Sequence, residues 1–237
     1  CAAAMVLAGG LGGVVFGGDG VAAGRLAGLP GGTDTGLFGP QDTAACRRRI
    51  GVALERDYIG FVGSFYRYQG LQCLLDAMAI IRHTMPSVHL LLVGDGEAAP
   101  ELKQQAHRLG LNLCITWAGR IPYQEVPTWI GAMTLCVAPF RGDRGETSPV
   151  KIFDYLACGK PVIASAIPSL SASFVQEAGV ALVPPDNPAA LAQAMLVLLN
   201  DPDRQVHMVA IGRRFVEQGF NWTHITNRLR EWLTTEK

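Results

Sequence analysis

The chain has 237 residues, of which 49% are hydrophobic, and its 20 basic residues balance its 20 acidic residues. This length and apolar content allow a substantial buried core. A net charge of zero provides neither the basic surface typical of nucleic-acid binding nor a polybasic patch for membrane binding, so we expect no nucleic-acid partner.

The glycine content divides the chain. Thirteen of the 28 glycines fall in residues 1–40, and residues 1–18 carry no charge. A membrane helix here is disfavoured because the segment is short, glycine-rich and lacks a basic flank. A signal peptide is also disfavoured, because no charged n-region precedes the apolar run.

From Asp57 onward, apolar runs alternate with amphipathic stretches. Strands are predicted at residues 58–62, 88–93, 113–117, 135–139, 161–164 and 181–183. Helices are predicted at residues 71–84, 98–109, 123–130, 149–158, 170–178 and 188–200, followed by two C-terminal helices at 203–218 and 222–234. Continuously apolar strands that alternate with helices indicate a parallel sheet covered on both faces. The predicted fold is therefore α/β, a Rossmann-like doubly wound parallel sheet of about six strands with C-terminal helices, and ligands should bind at the carboxyl ends of the strands.

Cysteine and histidine usage points away from metal chemistry. The six cysteines are scattered without a C-x-x-C pair, and several lie in apolar runs. They are interpreted as small buried residues in a reducing compartment, which predicts a cytoplasmic protein. The five histidines show no ligand-like spacing, so we expect no metal and no other cofactor.

The segment from Glu146 to Ser165 is the most informative about function. It reads as a loop, a helix and a buried strand, with Pro149 at the first helical position, Ser148 or Thr147 as the cap and Gly159 as a left-handed stop. The N–H groups around Ser148, Pro149 and Val150 would form a phosphate site beside Glu146. The alternative interpretation is that Glu146 is a solvated loop acid and that Lys151 and Asp154 form an exposed ion pair.

This run resembles the E-x7-E segment of retaining GT-B glycosyltransferases of family 4, with Asp154 in place of the second Glu. The resemblance extends over about residues 29–235. Supporting segments are Leu29-Pro-Gly-Gly-Thr-Asp-Thr-Gly-Leu-Phe-Gly-Pro40, Gly60-Phe-Val-Gly-Ser-Phe65, Leu91-Leu-Val-Gly-Asp-Gly96 and Trp117-Ala-Gly-Arg-Ile-Pro122.

The resemblance implies the donor-binding half of a two-domain enzyme that transfers sugar from a UDP or GDP sugar to an unknown acceptor. Residues 1–28 would be a Gly/Ala-rich remnant of an N-terminal, acceptor-binding domain that is otherwise missing. Residues 29–56 would be the interdomain segment, and residues 57–237 the nucleotide-sugar-binding domain. The fragment would be inactive alone, and the parent could associate peripherally with the inner face of a membrane.

The resemblance also assigns roles to residues. Glu146 would be the catalytic acid near the donor sugar, and Asp154 would hold the ribose hydroxyls. The remaining donor-binding positions would be Gly63, Gln69, Gly119, Arg120, Ile121, Thr147, Ser148, Pro149, Val150 and Lys151. Backbone groups at 119–121 would meet the base, although Arg120 could equally be a solvated turn residue.

Two further positions depart from the family pattern. Members usually place an Arg and a Lys near the diphosphate, where this chain has Ser64 and Gln69. Lys151 is the first candidate to replace these cations, because it lies in the first turn of the phosphate-facing helix. Arg67, Arg141 and Arg144 are the other candidates. The alternative interpretation of Lys151 is an exposed helix lysine without a role in binding.

Three further functions compete. Gly94-Asp-Gly-Glu-Ala-Ala99 satisfies the dinucleotide fingerprint G-x-G-x-x-A, with Arg120 available for an NADP phosphate. However, it follows the second strand, and no acid ends the third. A non-catalytic nucleotide-sugar-binding module and a nucleotide-sugar epimerase also fit the expected architecture.

Overall fold

The computed structural model describes residues 5–8, 26–29, 31–143, 150–168, 170 and 177–235. The strands within these ranges are β1 (Met5–Ala8), β2 (Leu26–Leu29), β3 (Tyr58–Val62), β4 (His89–Val93), β5 (Ile115–Gly119), β6 (Leu135–Ala138), β7 (Val162–Ser165) and β8 (Ala181–Val183). The helices are α1 (Thr43–Ile50), α2 (Leu71–Thr84), α3 (Ala99–Arg108), α4 (Val126–Ala132), α5 (Val150–Ala157), α6 (Pro188–Leu199), α7 (Pro202–Gly219) and α8 (Trp222–Thr235).

Strands β3 to β8 form one sheet, in the order β5-β4-β3-β6-β7-β8, and every neighbouring pair is parallel. This confirms the predicted Rossmann-like sheet of six strands. The chain runs outward from β3 to one edge and then returns to β6 on the other side of β3. The crevice between β3 and β6 is therefore the topological switch point, where doubly wound proteins bind ligands. Strands β1 and β2 form a separate parallel pair.

Both faces of the sheet are covered, as the continuously apolar strands predict. Along β4, Leu90 and Leu92 pack with α2, α3 and α6, whereas Leu91 and Val93 pack with α4 and α5 on the opposite face. The alternation follows from the period of two in an extended strand. The result is a three-layer α/β structure with a core on each side of the sheet.

Residues 31–56 join this same packed unit. Phe38 and Cys46 are buried in the core on the α5 side of the sheet. Thr33 pairs with the chain near the start of α8, since its N–H donates to Phe220 O and its C=O accepts from Trp222 N–H. The interdomain segment predicted from the resemblance is thus attached to the C-terminal helices.

The observed bounds of β5 and α4 differ from the predicted ones by two or three residues. Helix α4 begins at Val126 because Tyr123–Glu125 form a 3₁₀ turn first. Strand β5 begins at Ile115 because Asn112–Cys114 form a 3₁₀ turn first, and Leu113 is 92% exposed. The helix predicted at 170–178 falls largely on residues 171–176, which lie outside the described residues.

The described cysteines are free thiols, and Cys46, Cys114, Cys136 and Cys158 are buried, as predicted for small core residues. Burial raises the pKa of Cys73 to about 11 and that of Cys158 to about 12. None of the helices that the structure describes is long and apolar enough to cross a membrane.

Candidate functional site

A cleft of about 860 Å³ opens at the carboxyl ends of β3, β4 and β5. Three residues predicted to bind the donor line it, namely Gly63 after β3 and Arg120 and Ile121 after β5. Gly119, the fourth, ends β5 and accepts a hydrogen bond from Gly94 N–H at 2.8 Å. The structure therefore brings these four predicted residues together at the carboxyl ends of the strands.

Glycines allow the three strand ends to converge. Gly63 N–H donates to Val93 O at 3.0 Å. Gly94 has φ +130°, and a Cβ added to it would lie 2.0 Å from Gly63 O. No other residue type fits such a backbone approach without displacement. The cleft floor is consequently backbone, which suits close contact with a ligand.

Lys151, in the first turn of α5, lies at the switch point beside this floor. A Cβ added to Gly63 would be 3.0 Å from Lys151 Nζ. The ammonium donates to Gln69 Oε1 at 2.6 Å and lies 3.9 Å from the centroid of the Phe61 ring. It also lies 5.4 Å from the centroid of the Phe140 ring. Since Phe61 belongs to β3 and Phe140 follows β6, the lysine is held in the crevice between these strands.

This placement bears on the missing cations. Gln69, at one of the two substituted positions, is 6% exposed and is the hydrogen-bond acceptor for Lys151. Ser64, at the other, is exposed on the cleft wall. Arg67 pairs with Glu101 at 2.5 Å, and Arg141 pairs with Asp143 at 3.0 Å; both pairs are exposed. Of the described candidates, Lys151 is the one that lies against the glycine floor.

Asp154, one turn further along α5, is mostly buried. Its Oδ1 accepts a hydrogen bond of 2.6 Å from Thr33 Oγ1, and Thr33 is 1% exposed. Burial raises the pKa of Asp154 to about 6, while the hydrogen bond from Thr33 and the charge of Lys151 oppose that rise. The exposed pair of Lys151 and Asp154 considered from sequence is not what the structure shows, because Lys151 bonds to Gln69 and Asp154 to Thr33.

Tyr155 fixes α5 to β3 and was not anticipated from the sequence. Its buried hydroxyl accepts from Val62 N–H at 2.8 Å and donates to Val62 O at 3.3 Å. Burial raises its pKa well above the usual value, so the phenol remains protonated. The contact ties the last residue of β3 to the helix that carries Lys151 and Asp154. Thr33 was also not predicted from the sequence, because its hydrogen-bond partner Asp154 lies 121 positions away.

The catalytic candidate lies outside the described residues. Glu146, Thr147, Ser148 and Pro149, together with Arg144, fall in the undescribed range 144–149. Val150 begins α5 as described and is 41% exposed. The predicted stop of this helix is confirmed, because Gly159 is left-handed with φ +67°.

The structure also locates the G-x-G-x-x-A run that competed as a dinucleotide-binding motif. The G-x-G-x-x-A run follows β4, the second strand of the series, and β5 ends at Gly119 and is followed by Arg120 and not by an acid. Its second glycine, Gly96, packs against the backbone of Phe65. Within the described ranges, no group of three or more His, Cys, Asp or Glu side chains is arranged to hold a metal ion.

A doubly wound domain with a glycine-floored cleft at the carboxyl ends of its strands is of the kind that binds nucleotides. The sequence model of the family "Glycosyl transferases group 1" matches residues 56–201, more than half of the chain. The chain belongs to this family.

Curated relatives lie at about 30% identity. A D-inositol 3-phosphate glycosyltransferase of Catenulispora acidiphila is 30% identical over 207 residues, which cover 84% of this chain and 49% of that protein. A GDP-mannose-dependent monoacylated α-(1-6)-phosphatidylinositol monomannoside mannosyltransferase of Corynebacterium glutamicum is 27% identical, covering 88% of this chain and 56% of that protein. The chain thus spans about half the length of the curated relatives it matches.

Solved structures agree on the fold. Sucrose-phosphate synthase of Thermosynechococcus elongatus superimposes with a TM-score of 0.77 at 29% identity, covering 91% of this chain and 54% of that one. HepE of Anabaena, in complex with UDP-glucose, gives 0.78 at 25% identity, covering 91% of this chain and 59% of that one. The C-terminal domain of LpcC of Francisella tularensis, at 20% identity and a TM-score of 0.71, is covered over its full length, 100%, by 81% of this chain.

Proposed function

We propose that this chain is the donor-binding half of a retaining glycosyltransferase that transfers a sugar from a UDP or GDP sugar to an acceptor. The observation that carries the proposal is the position of Lys151. Its ammonium lies against the Gly63 turn in the crevice between β3 and β6. A fixed cation beside a glycine floor suits the diphosphate of a nucleotide sugar, whose charge increases as the nucleoside diphosphate leaves.

The other residues complete the donor site. Backbone groups at Gly119, Arg120 and Ile121 would meet the base, and the backbone N–H groups of Thr147, Ser148 and Val150, with Pro149 between them, would bind the phosphates. Glu146 faces the donor sugar. The charge of the leaving group is offset by these N–H groups and by Lys151, and the proposal includes no metal.

Asp154 is the proposed ribose ligand. Thr33 occupies its Oδ1, and Oδ2 has no hydrogen-bond partner among the residues that the structure describes. A carboxylate oxygen accepts hydroxyl hydrogen bonds well, and bonds to a charged acceptor are the stronger kind. Thr33 would then be a positioning residue that sets the orientation of the carboxylate.

Known proteins support the donor class without selecting one nucleotide. The Corynebacterium glutamicum relative is named as GDP-mannose-dependent, whereas the Anabaena structure contains UDP-glucose. Both ligands share the diphosphate that the Lys151 site would hold. A calorimetric titration of the chain with UDP, GDP and ADP therefore comes first, and we expect UDP or GDP to bind more tightly than ADP.

The assigned roles are tested by two variants. Glu146→Ala should weaken the binding of the nucleotide sugar more than that of the nucleotide, because the acid faces the sugar. Asp154→Ala should weaken both, because ribose is common to both ligands. Equal losses for the two variants with both ligands would contradict the assignment.

We further propose that the acceptor is bound by an N-terminal domain outside this chain. Transfer requires donor and acceptor to be held together, and such positioning contributes several kcal/mol to the reduction of the barrier, up to about 7–11 kcal/mol in well-oriented systems. The full-length parent should release nucleotide in an acceptor-dependent reaction, with retention of the anomeric configuration. The 237-residue chain should bind the donor without such release. Robust transfer by the chain alone would refute this division.

A non-catalytic nucleotide-sugar-binding module is the second candidate. The observation in its favour is that Ser64 and Gln69 replace both usual cations, and that Lys151 already donates to Gln69. In that case the full-length parent would bind UDP-sugar or GDP-sugar tightly but would produce neither transferred sugar nor free nucleotide.

A further inference from the structure

A second cavity, of about 570 Å³, opens at the amino ends of the strands, whereas the proposed nucleotide cleft lies at their carboxyl ends. Asp57, Thr134 and Pro161 line it, and these residues immediately precede β3, β6 and β7. Strands of four or five residues separate the two ends by about 13–17 Å. This cavity therefore belongs to neither the base, the ribose nor the diphosphate positions proposed above, and its interpretation does not depend on them.

The cavity contains a buried cation that has no acidic partner within the described ranges. Lys160 is 7% exposed, and its ammonium donates to Thr43 Oγ1 at 3.1 Å and to Gly131 O at 2.8 Å. An ammonium has three N–H donors, so one remains. Among the described residues, no carboxylate lies within 4.0 Å of Nζ. A buried ammonium is costly when it has lost its water and no carboxylate neutralises it.

A second cation lines the same cavity. Arg47 donates from Nε to Ala132 O at 3.0 Å, from Nη1 to Leu54 O at 2.5 Å and from Nη2 to Thr134 Oγ1 at 3.1 Å, which leaves one N–H on each terminal nitrogen. It too has no ion pair with any described acid. Asp57 is the one acid in the lining, and its Oδ1 accepts from Thr134 Oγ1 at 3.2 Å. With two cations and one carboxylate, the lining carries a net charge of +1.

The rest of the wall is mainly apolar. It is formed by the loop residues that precede β6 and β7 and by one side of α7, where Val206 is 70% exposed. The apolar lining residues are Met133, Pro161, Pro202, Val206, Val209 and Ala210. Ligand cavities combine such apolar walls with a few polar groups that fix orientation, and 570 Å³ lies within their usual size range of about 300–1,000 Å³.

We infer that this cavity binds an anionic amphiphile, that is, a carboxylate or phosphate monoester carrying an apolar chain, with the anion on Lys160 and Arg47 and the chain along α7. The anion would take the remaining N–H of Lys160 and would neutralise its buried charge. The lowered pKa of Lys160, which burial causes, agrees with an ammonium that lacks a counter-ion. An inorganic anion would leave the apolar wall uncovered, and a neutral alcohol would leave the cation unpaired.

Calorimetry of the 237-residue chain with octanoate, octyl phosphate, octanol and inorganic phosphate tests this inference. Octanoate or octyl phosphate should bind saturably, and octanol and inorganic phosphate at least about tenfold more weakly. Saturation with UDP should leave the affinity unchanged, since the sites lie at opposite ends of the strands. Equal binding of octanol and octanoate, or no saturable binding of any amphiphile, would overturn the inference.

Matched variants locate the site. Lys160→Met should reduce affinity at least about tenfold, whereas Lys103→Met, which removes an exposed lysine of α3, should not. Val209→Trp fills the cavity without altering Lys160 and should abolish binding, while Val197→Trp on α6 should not. If Lys160→Met does not fold, Val209→Trp decides the matter, because unchanged binding by that variant would refute the site. In methyl NMR, the ligand should shift the signal of Met133, which lines the cavity, and leave that of Met78 in place.

Discussion

Replacing Lys151 by Met is the sharpest test of the proposed donor site. The substitution removes the ammonium while keeping an unbranched side chain of similar length over the Phe61 and Phe140 rings. The variant should therefore retain its packing and lose only the charge at the Gly63 turn. We expect weaker binding of UDP or GDP and unchanged binding of uridine or guanosine.

The magnitude follows from the geometry of the site. Two unit charges 4 Å apart interact by about 4 kcal/mol at an effective dielectric constant of 20. The net loss is smaller, because the free protein already satisfies the ammonium through Gln69 at 2.6 Å and the Phe61 ring at 3.9 Å. A charge-assisted hydrogen bond contributes about 1.5–3 kcal/mol net. The dissociation constant of the diphosphate should accordingly rise about 10-fold to 150-fold.

Isothermal titration calorimetry with each nucleoside and its diphosphate measures this difference directly. Lys103→Met is the matched control, because Lys103 Nζ also lies over an aromatic ring, 5.9 Å from the centroid of Trp117, but does not line the cleft. A UDP affinity within twofold of the unmodified chain would refute the reasoning, and so would an equal loss for uridine. The cation would then have to be sought at Arg67, Arg141 or Arg144.

Three further predictions concern stability. Asp154 titrates at about 6 when folded, against 3.8 ordinarily, so between these pH values the folded state holds a proton that the unfolded state releases. The free energy of unfolding should therefore fall as pH rises from 4 to 7, by at most about 3 kcal/mol, and urea denaturation should find this loss reduced in Asp154→Asn. Gly94→Ala should destabilise the fold several times more than Gly110→Ala in the same assay, because the Cβ added at Gly94 would lie 2.0 Å from Gly63 O. At Gly110 nothing lies within 4 Å of the added Cβ, so this control should cost only about 1 kcal/mol, as expected from its φ of +68°. Tyr155→Phe should cost about 1–3 kcal/mol because it leaves the half-buried Val62 N–H without its partner at 2.8 Å, and a loss below about 0.5 kcal/mol would argue against that anchoring contact.

The sheet could be predicted from local pattern because its strands are buried on both faces. A run such as residues 88–93 is apolar at every position except His89, and the helices between the strands show a separate period. The one strand misplaced by two residues, β5, is preceded by a 3₁₀ turn in which Leu113 is exposed. An apolar residue in a turn can be mistaken for the start of a strand, because the sequence alone does not show whether its side chain is buried or exposed.

The contacts that organise the site could not be predicted, because their partners are far apart in sequence. Lys151 and Gln69 are 82 positions apart, and Tyr155 and Val62 are 93 apart. Only the strand order, which inserts β3 between β4 and β6, brings α5 onto the end of β3. Local periodicity carries no information about that order. The resemblance to a family supplied the candidate residues, while their mutual geometry came from the structure.

The substitution of Asp for Glu at position 154 acquires a physical meaning from Thr33. A carboxylate one methylene shorter stays closer to the helix, and here Thr33 Oγ1 bonds to it at 2.6 Å from the segment that leads into the domain. Thr33 is itself fixed by backbone hydrogen bonds to Phe220 and Trp222. The orientation of Asp154 therefore depends on three separate parts of the chain: α5, the segment around residue 33 and the junction between α7 and α8. A ribose bound to the second oxygen would be held by this same network, so the short acid and the buried threonine are best understood as one unit.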